Sequence, residues 1–279
     1  MNIRSAIFRP IAVGVLAGAL GFGTALSAEA DSHGHGHHPT ARPTIVLVHG
    51  AFADASSWES VVARLQHEGY RVIAPANPLR GLHQDSSYLV SFLKSLGDTE
   101  IILGGHSYGG EVITEAASDP DVKPHIKALV YIAAIAPEVG ESAGSILAAF
   151  PGSELTPENQ NAVPYTRPDG STGTDLYIKP EAFRPVFAGD LPQEKTDVMA
   201  ATQRPIDQSA LGDTADSAAW KDIPSWYLVA CGDKTIPPAA EQFMAERANS
   251  TTVSVNSSHA APVSHPEEVT NLILDAASS

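Results

Sequence analysis

The residue in this chain best suited to act as a nucleophile is a serine flanked by glycines. Ser107 lies between Gly105 and Gly109 in the pattern Gly-x-Ser-x-Gly, with an apolar run at 101–103 before it and a helical pattern at 111–118 after it. This context predicts a nucleophile elbow, in which a strained turn raises the serine hydroxyl above the edge of a sheet. The alternative is an ordinary glycine-rich turn, which the motif alone leaves open.

A histidine near the C-terminus is the predicted base. Serine is a weak nucleophile at neutral pH and needs a neighbouring base that a third group orients. His259 follows the predicted strand at 251–255, and active-site residues of parallel sheets gather at such strand ends. His265, which opens the final helix, is the alternative base. His49 and His106 lie inside motif loops, and we predict structural roles for both.

The predicted acid is Asp233, directly after the apolar strand at 225–230. A carboxylate at this strand end could orient the imidazole of His259. Two alternatives remain open. Asp233 could be a turn residue that caps the helix near Pro237, and Glu138, after the preceding strand, could supply the acid instead.

An oxyanion hole requires N–H donors close to the serine, because negative charge develops on the substrate oxygen during attack. The backbone N–H of Tyr108 directly follows Ser107 at a predicted helix N-terminus, where such donors are free. Ala51 follows the first strand. We predict the N–H groups of Ala51 and Tyr108 as the donors, with Phe52 beside the pocket. This chemistry requires no metal and no organic cofactor.

Strands and helices alternate from residue 44 to residue 279. Continuous apolar runs, typical of buried parallel strands, occur at 44–48, 70–74, 101–103, 128–132 and 225–230. The pattern predicts an α/β fold: a mostly parallel sheet with helices on both faces. A segment at about 137–221, rich in Pro, Gly, Ala and acidic residues, has no clear strand pattern. We predict that it forms a cap over the strand ends.

The N-terminus is predicted to be a targeting segment. Arg4 and Arg9 form a basic start, residues 11–26 are apolar, and Ala28-Glu29-Ala30 is a small-x-small cleavage site. Residues 1–30 therefore predict a signal peptide and export to the periplasm or the medium, with an uncleaved anchor as the alternative. Residues 31–43 form a His-rich linker, for which we predict a disordered spacer, with loose metal binding as the alternative.

Charge and composition exclude several partners. The formal net charge is −15 over 279 residues. Such a surface repels nucleic acid and anionic membranes, so we predict neither as a partner once the leader is removed. The single cysteine, Cys231, excludes an intramolecular disulfide, and we predict that it is a small buried residue. The sequence does not indicate an oligomeric state.

From residue 44 onward the chain resembles α/β-hydrolases, most closely the branch of plant methylesterases, hydroxynitrile lyases and bacterial esterase relatives. The segments that carry the resemblance are 46–52, 105–110, Gly232-Asp233 and Ser258-His259. The resemblance implies a triad of Ser107, Asp233 and His259, in the chain order usual for this fold. The lyases of this branch carry a lysine directly after the histidine. This chain has Ala260 there, which favours ester hydrolysis.

These features together predict an exported serine hydrolase, a carboxylesterase that acts on small-molecule esters through an acyl-enzyme. One alternative keeps the fold but uses lactonase, amidase or lyase chemistry. Another is a non-catalytic protein that captures a small molecule under the cap or a metal ion in the His-rich linker.

Overall fold

The computed structural model describes residues 42–279 of the chain. Its strands are β1 (Thr44–Val48), β2 (Val72–Ile73), β3 (Ile101–His106), β4 (Ile126–Ile132), β5 (Gln160–Thr166), β6 (Thr172–Ile178), β7 (Ile206–Asp207), β8 (Ser225–Ala230) and β9 (Thr251–Val255). Its helices are α1 (Glu59–His67), α2 (Leu82–Lys94), α3 (Tyr108–Ala116), α4 (Ala143–Ala149), α5 (Pro180–Phe187), α6 (Gln193–Thr202), α7 (Pro238–Arg247), α8 (Ala261–Ser264) and α9 (Pro266–Ser278).

Six parallel strands form the central sheet, in the order β2-β1-β3-β4-β8-β9. Because the strands are parallel, their carboxyl ends lie at the same end of the sheet; for example, Val48 pairs with Gly105, and His106 pairs with Ile132. The loops after β1, β3 and β8 therefore open at the same edge. The predicted α/β fold with a mostly parallel sheet is confirmed.

Helices cover both faces of this sheet, which explains why its inner strands are apolar without alternation. Within β1, Ile45 and Leu47 pack into a core with α1 and α9, whereas Val46 and Val48 pack into a second core with α2, α3 and α7. All four side chains are buried. Each face of the sheet is thus covered by a hydrophobic core. The loops at the carboxyl ends of the strands extend from this buried sheet.

The segment between β4 and β8 contains a second, antiparallel sheet in the order β5-β6-β7. The sequence, which has no clear strand pattern here, did not predict these strands. Most of β5 is exposed, and it contains Pro164, which an edge strand tolerates because it needs fewer ladder hydrogen bonds. A strand with so little buried surface has no clear apolar alternation, so the local pattern could not indicate it.

One further boundary differs from the sequence prediction: the second strand is only Val72–Ile73 rather than 70–74. Helix α2 begins at Leu82. The backbone N–H of Leu82 donates to Oδ2 of Asp213 at 3.0 Å. Because this acceptor comes from a distant segment, no capping residue next to the helix could have revealed its start.

The predicted leader and nearly all of the predicted His-rich linker lie outside the described residues. No helix within 42–279 combines the length and the apolar character that a membrane span requires.

We expect Asp213→Ala to lower the free energy of unfolding by about 1 kcal/mol, because the first turn of α2 loses an acceptor. For a domain of this size, the melting temperature should fall by roughly 2–4 °C. Asp213→Asn keeps a side-chain oxygen and should lose less. Thermal unfolding followed by circular dichroism measures the difference, with the exposed Asp98→Ala as the control. Identical melting temperatures for all variants would contradict this role of Asp213.

Candidate active site

Ser107 occupies a strained turn between β3 and α3. Its backbone has φ 56° and ψ −129°, a region that residues with a side chain rarely adopt. The flanking glycines are required by space: a Cβ at Gly105 would lie 2.5 Å from the carbonyl oxygen of Gly109, and a Cβ at Gly109 would lie 2.5 Å from that of Val48. The geometry is therefore that of an elbow and not of an ordinary glycine-rich turn.

Asp233 and His259 form a hydrogen-bonded pair whose side chains are fully buried. Nδ1 of His259 lies 2.5 Å from Oδ2 of Asp233. The other carboxylate oxygen accepts the backbone N–H groups of Thr235 at 2.6 Å and Ile236 at 3.0 Å. Because the ionised carboxylate can only accept, the imidazole carries its proton on Nδ1, and the lone pair of Nε2 is free to act as a base.

The Nε2 atom of His259 is buried and has no hydrogen-bond partner among residues 42–279. The bond from the Ser107 hydroxyl that a triad requires is therefore not formed in this structure. In enzymes without substrate such bonds are often long and tighten only in the substrate complex. The structure thus joins two of the three predicted triad residues directly.

His106 links the elbow to the loop that carries His259. Its Nε2 donates to the carbonyl oxygen of His259 at 2.9 Å, and the two rings lie 4.7 Å apart between centroids. Burial, followed by the nearby His259, lowers the pKa of His106 well below its ordinary value, so this ring is neutral. Because His106 directly precedes Ser107, this contact brings the candidate nucleophile and base to the same place. The predicted structural role of His106 agrees with this geometry.

The residues that carry the predicted oxyanion donors lie next to Ser107 in the fold or in the chain. A Cβ at Gly50 would lie 2.5 Å from the Cβ of Ser107, so the turn after β1 packs directly against the serine. Within the described chain, the backbone N–H groups of Ala51 and Tyr108 donate to no acceptor. The N–H of Phe52, in contrast, donates to the carbonyl oxygen of Arg204 at 3.1 Å. The backbone N–H groups of Ala51 and Tyr108 are therefore available as hydrogen-bond donors to an oxyanion.

A buried histidine holds the turn that carries Ala51. Nε2 of His49 accepts the backbone N–H of Asn77 at 2.9 Å, and the Asn77 side chain donates to the carbonyl oxygen of His49 at 3.0 Å. Nδ1 of His49 donates to the carbonyl oxygen of Gly50 at 2.9 Å. Burial lowers the pKa of His49 to about 4, so the ring is neutral at neutral pH. The structural role that the sequence predicted for His49 matches these contacts.

Tyr108 is anchored through its side chain. Its hydroxyl donates to Oδ2 of the buried Asp85 at 2.9 Å, and Asp85 also accepts the backbone N–H of Arg80 at 3.1 Å. Burial raises the pKa of Asp85 above its ordinary value. The side chain of the first residue of α3 is thereby anchored, which helps to hold the N–H that follows Ser107 in place.

The segment between β4 and β8 covers the site. The ring of Phe187 packs edge-on against His259, 4.9 Å between centroids, and its carbonyl oxygen accepts the N–H of Ala260 at 3.1 Å. Asp190 accepts both the N–H and the hydroxyl of Ser258. Ser107 is 6% exposed and His259 is 0% exposed. The sequence did not predict Phe187 or Asp190, because each acts on a loop some seventy positions away.

The alternative residues lie elsewhere. His265 contacts Ser264 at 2.9 Å and lies 3.6 Å from Asp190, with no contact to Asp233. Glu138 pairs with Lys221 at 2.6 Å and is partly exposed. Neither joins His259 or Ser107 in a hydrogen bond. Cys231 is exposed, so the prediction that it is buried is wrong; it follows the last residue of β8, where the chain leaves the sheet.

One group of possible metal ligands occurs among the described residues. Ligand atoms of His83, Glu115 and Asp216 lie within 4.8 Å of one another. His83 already pairs with Glu115 at 2.7 Å, and that hydrogen bond raises the pKa of His83. The ion pair accounts for the grouping, and none of its members belongs to the candidate triad.

The fold and the elbow define a hydrolase of the α/β class, and comparison with known proteins agrees. The model of the Alpha/beta hydrolase family matches residues 45–272. The chain therefore belongs to the alpha/beta hydrolase family.

Three relatives illustrate this membership. Alpha/beta hydrolase nvfD of Aspergillus novofumigatus is 27% identical over 255 residues, which cover 85% of this chain and 97% of that protein. The pyrethroid hydrolase of Sphingobium wenxiniae is 27% identical over 256 residues, 83% of this chain and 86% of that protein. The crystal structure of an Arabidopsis methylesterase superposes with a TM-score of 0.69 at 22% identity, over 85% of this chain and 99% of that chain.

The predicted resemblance to the methylesterase branch is confirmed, because methylesterases of Arabidopsis are among the relatives. The relatives are named hydrolases and esterases, which supports the predicted enzyme class, an esterase-like hydrolase.

We expect protonation of His49 to destabilise the protein in acid. Its pKa is about 4 in the folded protein and about 6.5 when unfolded, so between these values only the unfolded chain binds the proton. Stability should therefore fall as the pH falls from about 6.5 to about 4, by about 3 kcal/mol from this residue alone.

Urea unfolding at several pH values tests this expectation. His49→Gln, which cannot take up a proton, should have a flatter stability profile over the same pH range. The surface variant His67→Gln serves as the control, since His67 is exposed. Parallel profiles for the wild type and His49→Gln would contradict the expectation.

Proposed function

We propose that this protein is an exported serine carboxylesterase that acts on small-molecule esters. Ser107 is the nucleophile, His259 is the base and Asp233 orients the imidazole. The backbone N–H groups of Ala51 and Tyr108 form the oxyanion hole. The observation that carries the proposal is the strained Ser107 elbow, joined through His106 to a buried His259–Asp233 pair.

The reaction follows from the protonation states of these groups. Nε2 of His259 takes the hydroxyl proton as Oγ of Ser107 attacks the ester carbonyl, and the resulting oxyanion accepts the two N–H donors. Collapse of this intermediate breaks the bond to the leaving alcohol, which receives the proton from the imidazolium. A water molecule then attacks the acyl-enzyme by the same route, releasing the acid and restoring Ser107.

The names of the relatives support ester chemistry. They include methylesterases and a carbendazim-hydrolysing esterase. Lyase chemistry is less well supported, because the position after His259 is Ala260, which is buried and carries no proton donor on its side chain. Export is proposed from the sequence of residues 1–30, whose basic start, apolar stretch and small-residue cleavage site are those of a signal peptide.

Treatment with a fluorophosphonate, followed by peptide mass spectrometry, tests the proposed nucleophile. We expect one modification, on Ser107. Ser107→Ala should abolish labelling and lower kcat for a short-chain p-nitrophenyl ester by at least about 10³-fold, since attack then lacks its nucleophile. The exposed helix residue Ser87 provides a matched control, and Ser87→Ala should retain both properties.

Two outcomes would overturn the proposal. One is equal ester hydrolysis by the wild type and Ser107→Ala. The other is an unlabelled wild-type protein, which would favour a binding protein that captures a small molecule without reacting.

A further inference from the structure

A second buried carboxyl group lies behind Asp233. Glu241 is on α7 and is 0% exposed. Its Oε2 accepts the backbone N–H of Ala230, the last residue of β8, at 2.9 Å. It faces the Asp233 carboxyl, and both acids bind the backbone of the same residue, because the N–H of Asp233 donates to the carbonyl oxygen of Ala230 at 3.1 Å. Its Oε1 is buried and meets no donor in the described part of the chain.

Two buried carboxyl groups in contact cannot both carry a negative charge, because their repulsion adds to the loss of hydration. Asp233 accepts three N–H donors, from Thr235, Ile236 and His259. Among residues 42–279, Glu241 accepts only one, from Ala230. The charge is therefore better stabilised on Asp233, and a proton is better placed on Glu241.

The other titratable groups that face Glu241 within the described part of the chain carry no positive charge. They are the thiol of Cys231 and the phenol of Tyr227, whose hydroxyl donates instead to the carbonyl oxygen of Ala134. The cation nearby on the same helix, Arg247, pairs with Glu141 at 2.7 Å. Burial and the neighbouring Asp233 raise the pKa of Glu241 well above its ordinary value.

We propose that Glu241 is a positioning residue, whose protonated carboxyl group donates a hydrogen bond to Asp233 and holds that carboxylate in line with His259. The proposal rests on the proposed function, since Glu241 touches neither substrate nor the reacting atoms. It adds a fourth donor to Asp233, and it keeps the net charge of the two carboxyl groups at minus one. This single negative charge stabilises the imidazolium that forms during attack.

Substitutions of Glu241 separate this role from packing. Glu241→Gln keeps the shape and supplies an N–H donor in place of the O–H. It should retain kcat within about threefold. Glu241→Met keeps the volume but removes the donor, so kcat should fall about tenfold or more with KM nearly unchanged. The matched control is Glu246→Gln, on the exposed side of the same helix.

The pH profile of kcat/KM decides whether Glu241 carries a proton. In Glu241→Gln the acid limb should keep the wild-type midpoint, because no charge has been removed. If Glu241 were ionised, its removal would move that limb to lower pH by about one unit or more, and the proposal would be overturned. Unchanged kcat in Glu241→Met would overturn it as well.

Infrared spectroscopy keeps the proposal testable if the protein proves not to be an esterase or if Glu241→Met does not fold. Burial also raises the pKa of Glu111 well above its ordinary value, so the test is the difference between spectra. At neutral pH Glu241→Gln should lose part of the carbonyl band of protonated carboxylic acids, and Glu246→Gln should retain all of it. An identical band in the wild type and Glu241→Gln contradicts the protonation of Glu241, whereas loss of activity or labelling in the wild type contradicts only the proposed function.

Discussion

The arrangement of the site depends on a close approach between backbones at the end of β3. A Cβ at Gly105 or Gly109 would lie 2.5 Å from a carbonyl oxygen, a distance that van der Waals repulsion forbids. Only the absence of both side chains lets α3 start against β1 while Ser107 adopts its positive φ. This close approach of β1, β3 and α3 fixes the position of the turn after β1. It also fixes the ring of His106 and the N–H of Tyr108.

Hydrogen bonds from buried groups connect this close-packed region to the rest of the molecule. His106 donates to the loop of His259, so the elbow and the candidate base are held to each other. The segment between β4 and β8 contacts the same region at two places: Asp190 binds the loop of His259, and the carbonyl oxygen of Arg204 binds the turn of Phe52. The orientation of His259 and of the turn after β1 is therefore coupled to the position of this segment.

The sequence predicted those parts of the structure that depend on neighbouring residues. The apolar runs of β1, β3 and β8 indicated buried parallel strands, and the glycines around Ser107 indicated the elbow. The exposed β5 was missed, because its contacts lie mainly along one edge. Asp190 and Glu241 were missed for a different reason: their partners are remote in the chain or on another element, and no local pattern records such contacts.

The contact between His106 and the His259 loop also joins distant parts of the polypeptide. Ser107 lies in the first half of the sequence, whereas Asp233 and His259 lie well into its second half. Strands β1 to β4 precede the whole of the hydrogen-bonded Asp233–His259 pair, although β3 leads directly into the elbow. A proteolytic cut between β4 and β8 would therefore leave the elbow on one fragment and the candidate base on the other.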